Sequence, residues 1–355
     1  MLQKKTYAFL GAGFPNILQS IIEKKKKNKV LIFEKNFFLG GAWSKYEDKK
    51  TGIATENAIH YLLYDNRGVQ FIKKILKLEL IETKKKFRII NFFKTRIKLP
   101  FNNIFSKVIT VIKSIVINFS FSFYNLNKSF YFKHGSLKLL EKFTNLAKKN
   151  RVNIKYNTEI KTIVLDKINK KVELIDQNKK KFFADHLVIT NSSNFNHIKF
   201  KTDNKSYKKF YFEKRKLYRP AAHLFFDCNF KNENQEMIFE NDSIIKHCHD
   251  VTRFSRFKTN SLKVIVVSFR PEALLKKKDF LKKYVLKVLI ELKVISIKSQ
   301  LLKINFNKNY LPVLSKKSLK NISFNSNGLI SFLQTEDFCK CMGDYFKNWK
   351  NINEY

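Results

Sequence analysis

The stretch that decides the fold runs from Ala8 to Trp43 and reads AFLGAGFPNILQSIIEKKKKNKVLIFEKNFFLGGAW. It begins inside a short apolar, β-favouring run, Lys5 to Leu10, which leads directly into the glycine turn GAGFPN. Apolar residues then recur at helical spacing from Asn16 to Lys26, and Pro15 stands where a first helical turn accepts proline. The run KVLIFE adds a second buried strand that ends at Glu34. The stretch therefore predicts a β-α-β unit of a doubly wound, Rossmann-like α/β fold.

Each part of this unit has a physical task in nucleotide binding. Gly11 permits the tight turn, Gly13 lets the main chain approach a pyrophosphate, and the start of the helix supplies N–H groups and a positive dipole end. Glu34 follows Gly11 by 23 positions, close to the spacing of roughly 20 at which an acidic residue meets the ribose hydroxyls. Asn16 stands where the fingerprint has its third glycine. We expect Asn16 to widen the contact between helix and strand and to leave the phosphate site in place.

A second glycine pair indicates which nucleotide is bound. The sequence GGAW begins at Gly40, six positions after Glu34. A Glu, five residues and a Gly-Gly pair resemble the FAD-binding start of the flavoprotein amine oxidase superfamily, which includes protoporphyrinogen oxidase, phytoene desaturase and UDP-galactopyranose mutase. The resemblance covers residues 6 to 43 and implies that the cofactor is FAD. It assigns cofactor contacts to Gly11, Ala12, Gly13, Phe14, Glu34, Lys35, Gly40, Gly41, Ala42 and Trp43.

The middle of the chain is similar to the segment that returns to the FAD domain in that superfamily. After Gly135 the sequence predicts a helix, followed by the strands VNIKYN, EIKTIVL, KVELID and ADHLVIT. The apolar face predicted for the helix consists of Leu137, Leu140, Phe143, Leu146 and Ala147. The resemblance implies a main-chain contact to adenine at Ile160 and a cofactor contact at Thr190.

The superfamily usually ends with a strand, a Gly-Asp turn and a helix that points at the flavin. Here the corresponding turn reads Thr335-Glu336-Asp337, and Gly343-Asp344 lies inside the predicted helix. Thr335 is a good helix N-cap, and acidic residues suit the first turn. The resemblance places Thr335 and Glu336 against the cofactor.

These blocks predict a Rossmann-like FAD-binding domain with an inserted mixed α+β substrate domain. Residues 1–65, 131–200 and 306–355 would form the FAD-binding domain, and residues 66–130 and 201–305 the substrate domain. The run GIATENAIHYLL, Gly52 to Leu63, is similar to the superfamily segment that runs toward the flavin, with Glu56, Asn57 and His60 as the matching residues. Among residues that could bind a substrate we single out His60, Arg219 and Arg253, with His223, Asp250 and Arg256 as secondary candidates. Arginine is scarce in this chain, and an anionic substrate would need such donors. The alternative is that these residues form turns or surface ion pairs.

The charge of the chain has two explanations. The formal net charge of +42 comes from 71 Lys and Arg against 29 Asp and Glu. The accompanying excess of Asn, Ile and Phe is what AT-rich codons would impose, so no specific nucleic-acid partner is expected. A genuine polyanion-binding surface is the alternative. The apolar run from Phe101 to Leu126 is interrupted by Lys107 and Lys113, which predicts a buried or interfacial helix and not a membrane span.

The four cysteines indicate neither a disulfide framework nor a zinc site. The clusters HCH at His247 to His249 and CKC at Cys339 to Cys341 lack the C-x-x-C pairing of structural zinc, so no metal is predicted. No signal peptide precedes the first strand, which makes the cytoplasm the expected compartment. Peripheral contact with the inner face of the membrane is a further expectation.

Three functions fit the sequence. The first is an FAD-dependent oxidoreductase that transfers hydride from a small apolar or sugar-like substrate to the flavin N5, with no catalytic side chain assigned. The second is a flavin-dependent isomerase similar to UDP-galactopyranose mutase, in which Arg219, Arg253 and Arg256 would bind a diphosphate. The third is a non-catalytic binding protein that resembles the GDP-dissociation inhibitors. The oligomeric state is not predicted.

Overall fold

The computed structural model describes most of the chain. The described residues are 4–43, 45–47, 54–56, 62–63, 66–84, 86–91, 108, 112, 115–116, 128–133, 136–190, 198–202, 205–206, 214–218, 221–227, 235–240, 242–250, 262–307, 310–314, 326–333 and 341–345. No helix among them is both long and apolar enough to cross a bilayer.

Short strands and α-helices make up most of the described parts of the chain; besides the helices named below, residues 108, 112, 115, 116 and 341–345 are helical. The strands are β1 (Thr6–Leu10), β2 (Lys29–Phe33), β3 (Lys45–Glu47), β4 (Ala54–Glu56), β5 (Leu62–Leu63), β6 (Leu80–Lys84), β7 (Lys86–Asn91), β8 (Lys128–Phe132), β9 (Asn153–Lys155), β10 (Ile160–Asp166), β11 (Lys171–Asp176), β12 (Lys181–Ala184), β13 (His186–Thr190), β14 (Lys199–Thr202), β15 (Lys205–Ser206), β16 (Lys214–Tyr218), β17 (Ala221–Asp227), β18 (Gln235–Glu240), β19 (Ile245–Asp250), β20 (Leu262–Phe269), β21 (Gln300–Asn307), β22 (Tyr310–Leu314) and β23 (Ile330–Leu333). The helices are α1 (Phe14–Lys25), α2 (Asn66–Gln70), α3 (Ser136–Lys149) and α4 (Lys278–Glu291); a π-helical turn, Phe71–Ile75, continues α2. Short 3-10 helices span Gly41–Trp43 and Pro271–Leu275.

A five-stranded parallel sheet in the order β23-β13-β1-β2-β9 forms the first half of the architecture. Its strands come from the beginning, the middle and the end of the chain. The predicted β-α-β unit is present as β1, α1 and β2. The predicted α/β fold class is thus confirmed, with parallel strands joined through helices.

Two apolar layers cover this sheet. On one side α1 and α3 pack together, and Phe14 of α1 stacks on Phe143 of α3 with ring centroids 4.1 Å apart. On the other side, residues of β1 and β13 pack against β10 and β11, which belong to a sheet in the order β12-β11-β10-β14-β15. The predicted apolar face of α3 needs one correction. Leu139, absent from the prediction, is fully buried, whereas Leu137 is only half-buried.

A six-stranded sheet in the order β21-β17-β20-β19-β18-β7 has a core of its own. Its pairs are antiparallel except that of β18 with β7, and it therefore joins a strand from residues 66–130 to strands from the later insertion. Helix α4 contributes Val285, Val288 and Leu289 to this core. β22, which lies in the last predicted segment of the FAD-binding domain, pairs with β16. The remaining small sheets are β3-β4 and β5-β8-β6.

Candidate cofactor site

The candidate site lies at the carboxyl edge of the parallel sheet. β1, β2, β13 and β23 run in the same direction and pair close to their last residues. Gly11, Glu34 and Thr190 therefore come to the same edge, although they are far apart in sequence. In open α/β sheets this edge is where ligands bind.

The first glycine turn is held by hydrogen bonds to the second strand. Gly11 has a φ of +84°, a conformation that favours glycine, and its N–H donates to the Phe33 carbonyl at 2.8 Å. The N–H of Ala12 donates to Glu34 Oε2 at 2.7 Å. Gly13 precedes α1 in extended conformation and no side chain caps the helix. Within the described residues the Gly13 N–H has no acceptor, so the start of α1 offers main-chain donors to an anion.

The second glycine pair lies against the first turn. Gly40 and Gly41 have φ values of 115° and 57°, and the Gly40 N–H donates to the Ala12 carbonyl at 2.9 Å. A Cβ added to Gly41 would lie 3.8 Å from the Cα of Gly13. The two glycine motifs, separated by a strand and a helix, thus form one main-chain surface. Ala42 follows in the 3-10 turn Gly41–Trp43.

Glu34 is fixed in position by three main-chain and side-chain donors. The residue is only 4% exposed, its Oε2 accepts from Ala12, and its Oε1 accepts from both the N–H and the Nδ2 of Asn36 at 2.9 Å each. A carboxylate has about four lone-pair sites. Three donors therefore leave acceptor capacity for a ribose hydroxyl, and the negative charge opposes a 2′-phosphate. Lys35, beside it, is exposed.

A loop that the sequence did not single out supports Glu34 from the other side. The Glu34 N–H donates to the Lys155 carbonyl, and the Thr158 N–H donates to the Glu34 carbonyl, both at 2.9 Å. Burial and the nearby Glu34 carboxylate raise the pKa of the Tyr156 hydroxyl. This loop leads directly into Ile160, which is 4% exposed and begins β10.

Asn16 takes the place of the third glycine and is fully buried. Its Nδ2 donates to the carbonyls of Leu10 at 2.7 Å and of Gly11 at 2.8 Å, whereas its Oδ1 has no hydrogen-bond partner. The side chain therefore ties the first turn of α1 to the end of β1. The sequence alone predicts only a wider contact between helix and strand here. The sequence does contain a signal for these hydrogen bonds. Asn16 places an amide donor at a helix position that faces the sheet, where it can reach the carbonyls at the end of β1.

Two of the residues assigned to the cofactor use their side chains for packing. Phe14 stacks on Phe143, and Trp43 lies 6.1 Å from Phe14 and 5.9 Å from Phe132 between ring centroids. A cofactor contact from Phe14 or Trp43 would therefore come from the main chain. Thr190 is buried and ends β13.

The end of the chain returns to the start of α1. Residues 341–345 form a helical turn that contains Gly343, as predicted. Cys341 and Met342 join the same core as α1, and the Tyr345 hydroxyl donates to the Pro15 carbonyl at 3.2 Å. Burial, followed by the nearby Cys341 and Asp344, raises the pKa of Tyr345 well above its usual value.

Several predicted residues lie outside the described residues. They are His60, Arg219, Arg253 and Arg256, with Asn57, Thr335, Glu336 and Asp337. His223 is in β17, Asp250 ends β19, and Glu56 ends β4.

The HCH cluster does not converge on a metal. Strand alternation in β19 puts Cys248 in the apolar core, whereas His247 and His249 lie 5.9 Å apart between ring centroids on the other face. Among the described residues, no group of three or more His, Cys, Asp or Glu side chains could hold a metal.

Comparisons with known proteins extend the likeness to the whole chain. No protein-family model and no curated protein matches it. Among solved structures, a candidate protoporphyrinogen oxidase from Exiguobacterium sp. 255-15 matches with a TM-score of 0.66 and 10% identity over 100% of both chains. Reduced UDP-galactopyranose mutase matches with a TM-score of 0.68 and 9% identity over 99% of this chain and 94% of that one. Putrescine oxidase bound to putrescine matches with a TM-score of 0.65 and 9% identity over 99% of both chains. The chain therefore shares its overall fold with these three proteins.

Proposed function

We propose that this protein is an FAD-dependent oxidoreductase acting on a small molecule. The observation that carries the proposal is the joined surface of the two glycine motifs and Glu34, held by the Gly40–Ala12 and Ala12–Glu34 hydrogen bonds. Oxidases among the structural neighbours, including putrescine oxidase, support the same class.

The residues at the carboxyl edge fit the ADP half of FAD. The start of α1 and the Gly13 N–H would receive the pyrophosphate, because they offer donors where no side-chain cap competes. The Glu34 carboxylate would accept hydrogen bonds from the ribose, and the main chain near Ile160 would face adenine. Gly40 and Gly41 would let the cofactor pass close to the main chain.

When bound, FAD would accept a hydride from the substrate, so the chain has to hold the cofactor rigidly and orient the substrate. Rigidity at the adenosine end comes from the donors around Glu34. At the start of α1 it comes from Asn16 and from Tyr345, which join this helix to β1 and to the end of the chain.

Two alternative functions are compatible with this fold. An isomerase would use the same FAD site, and a binding protein would have the same fold without FAD. The likeness to reduced UDP-galactopyranose mutase supports an isomerase, and turnover of UDP-galactopyranose only after dithionite reduction would select it. A binding protein of the GDP-dissociation-inhibitor kind would be favoured if the chain cannot retain FAD. We place all three in the cytoplasm, with contact to the inner face of the membrane.

The first test is the cofactor content of protein purified without added flavin. We expect the visible absorption of an oxidised flavin, and heat denaturation should release FAD and not FMN, as judged by chromatography against both standards. A colourless protein that FAD cannot reconstitute would contradict the proposal.

The second test changes the ribose acceptor. Glu34→Gln should weaken binding of both FAD and ADP about tenfold or more, because hydrogen bonds to a charged group contribute about 1.5–3 kcal/mol. The matched control is Glu291→Gln, which removes a solvent-exposed charge near Lys287 on α4 and should leave both affinities unchanged. Equal affinities for the two variants in titration calorimetry would refute the role of Glu34.

A further inference from the structure

A helical face that projects apolar side chains into solvent lies outside the cofactor site. Val108, Ile112, Ile115 and Val116 are helical, and their spacing of four, three and one residues is that of one face of a helix. Their exposed fractions are 49%, 53%, 62% and 54%. We call these four residues the 108–116 face.

The grouping of these residues distinguishes them from ordinary surface hydrophobics. Single exposed apolar side chains are normal on soluble proteins, and Ile168, Leu275 and Ile297 are examples here. Four β-branched side chains on one helical face, each about half exposed, instead mark an interaction surface.

The charge around the 108–116 face indicates what covers it. From Thr83 to Leu140 the sequence contains no Asp or Glu, but twelve Lys and Arg. Codon bias acts on the whole chain, yet 29 acidic residues occur elsewhere, so the acid-free stretch is a local feature. Lys107 and Lys113 lie close to the face in sequence, and the other ten basic residues flank it at positions 84–98 and 128–138. An apolar face flanked by basic residues is complementary to an anionic lipid surface, where apolar side chains enter the headgroup boundary and Lys and Arg meet the phosphates.

We propose that the 108–116 face docks the protein on an anionic phospholipid bilayer, lying in the interface without crossing it. A second copy of the chain is a poorer occupant, because pairing two such segments would bring like charges together. The proposal rests on the membrane contact placed in the proposed function and deepens it by naming the face and the lipid charge; it does not depend on FAD binding.

Vesicle flotation of the full chain tests the proposal. We expect the protein to float with vesicles of phosphatidylcholine mixed with phosphatidylglycerol and not with phosphatidylcholine alone. The double variant Ile112→Asn/Ile115→Asn should bind at least about tenfold more weakly, because burying an isoleucine side chain contributes roughly 1.5–3 kcal/mol. The matched control Leu275→Asn/Ile297→Asn changes two residues that are even more exposed, and it should bind within about twofold of wild type.

The depth of the face is tested separately by Ile115→Trp. Its fluorescence should shift to the blue on anionic vesicles and be quenched by brominated acyl chains. Three results would overturn the proposal: no flotation with anionic vesicles at low salt, equal binding by the two double variants, or a dimer in light scattering that Ile112→Asn/Ile115→Asn abolishes. Circular dichroism melts of each variant verify folding, and running cofactor-free and FAD-loaded protein in parallel separates this result from the test of FAD binding.

Discussion

Asn16 is the residue at which this chain departs from the glycine fingerprint, and the structure gives the departure a physical reason. The side chain is fully buried and donates to two strand-end carbonyls, Leu10 and Gly11. A glycine would allow close packing but leave those carbonyls without this donor. In this chain, hydrogen bonds from the Asn16 amide connect the helix to the strand end, where a glycine would connect them by close packing.

Exchanging Asn16 for aspartate should be more damaging than exchanging it for glycine. Asn16→Gly leaves buried acceptors unsatisfied and should lower the free energy of unfolding by about 1–3 kcal/mol. Asn16→Asp should cost about 3–5 kcal/mol, because a buried carboxylate would face two carbonyl oxygens with no donor. Urea unfolding of the cofactor-free protein measures both. The control is Asn153→Asp on the exposed side of β9, expected within about 0.5 kcal/mol of wild type.

The role of Asn16 is tested by the order of the three free energies of unfolding, which should fall from Asn153→Asp to Asn16→Gly to Asn16→Asp. If Asn16→Gly were as stable as wild type, the two hydrogen bonds would not be what holds the turn. FAD affinity of Asn16→Gly should remain within about tenfold of wild type, since the main-chain donors of the phosphate site are retained.

At the scale of elements, local patterns were predictable and long-range partners were not. The strand, turn, helix and strand around Gly11 follow from periodicity and glycine placement, and Glu34 follows from its spacing. The support of Glu34 by Thr158 comes from a loop more than a hundred residues away, and no local pattern encodes such a pairing. The predicted face of α3 includes Leu137 in place of Leu139, although Leu139, Phe143 and Ala147 are spaced four residues apart and share one buried face.

The helical turn at 341–345 packs a late segment of the chain against the core that contains α1. Tyr345→Ala should lower the free energy of unfolding by about 3–5 kcal/mol, because a buried aromatic ring leaves a cavity beside α1. Tyr345→Phe keeps the ring and loses only the bond to Pro15, so it should cost about 1 kcal/mol. Thermal and urea unfolding distinguish the two. Phe183→Ala, at a ring that is 61% exposed, is the control, and a loss as large as that of Tyr345→Ala would argue against the role of this turn.

At the scale of the whole molecule, the parallel sheet and the six-stranded sheet have separate hydrophobic cores. The parallel sheet combines strands from the beginning, middle and end of the chain, whereas the core of the six-stranded sheet shares no buried residue with it. A ligand at the carboxyl edge contacts the ends of strands that are distant in sequence and become neighbours only in the folded protein. Binding it should therefore oppose the separation of three distant segments at once.

FAD should accordingly stabilise the two sheets unequally. At a free concentration of 100 times Kd, a ligand that binds only the native state adds about 2.7 kcal/mol to the free energy of unfolding. Hydrogen exchange measured by mass spectrometry should show slower exchange in β1, β13 and β23, with β17 and β20 changing little. Glu34→Gln at the same FAD concentration is the control and should show a smaller effect. Equal protection of both sheets would mean that they unfold as one cooperative unit, since a ligand then raises the cost of the single opening that exposes every strand.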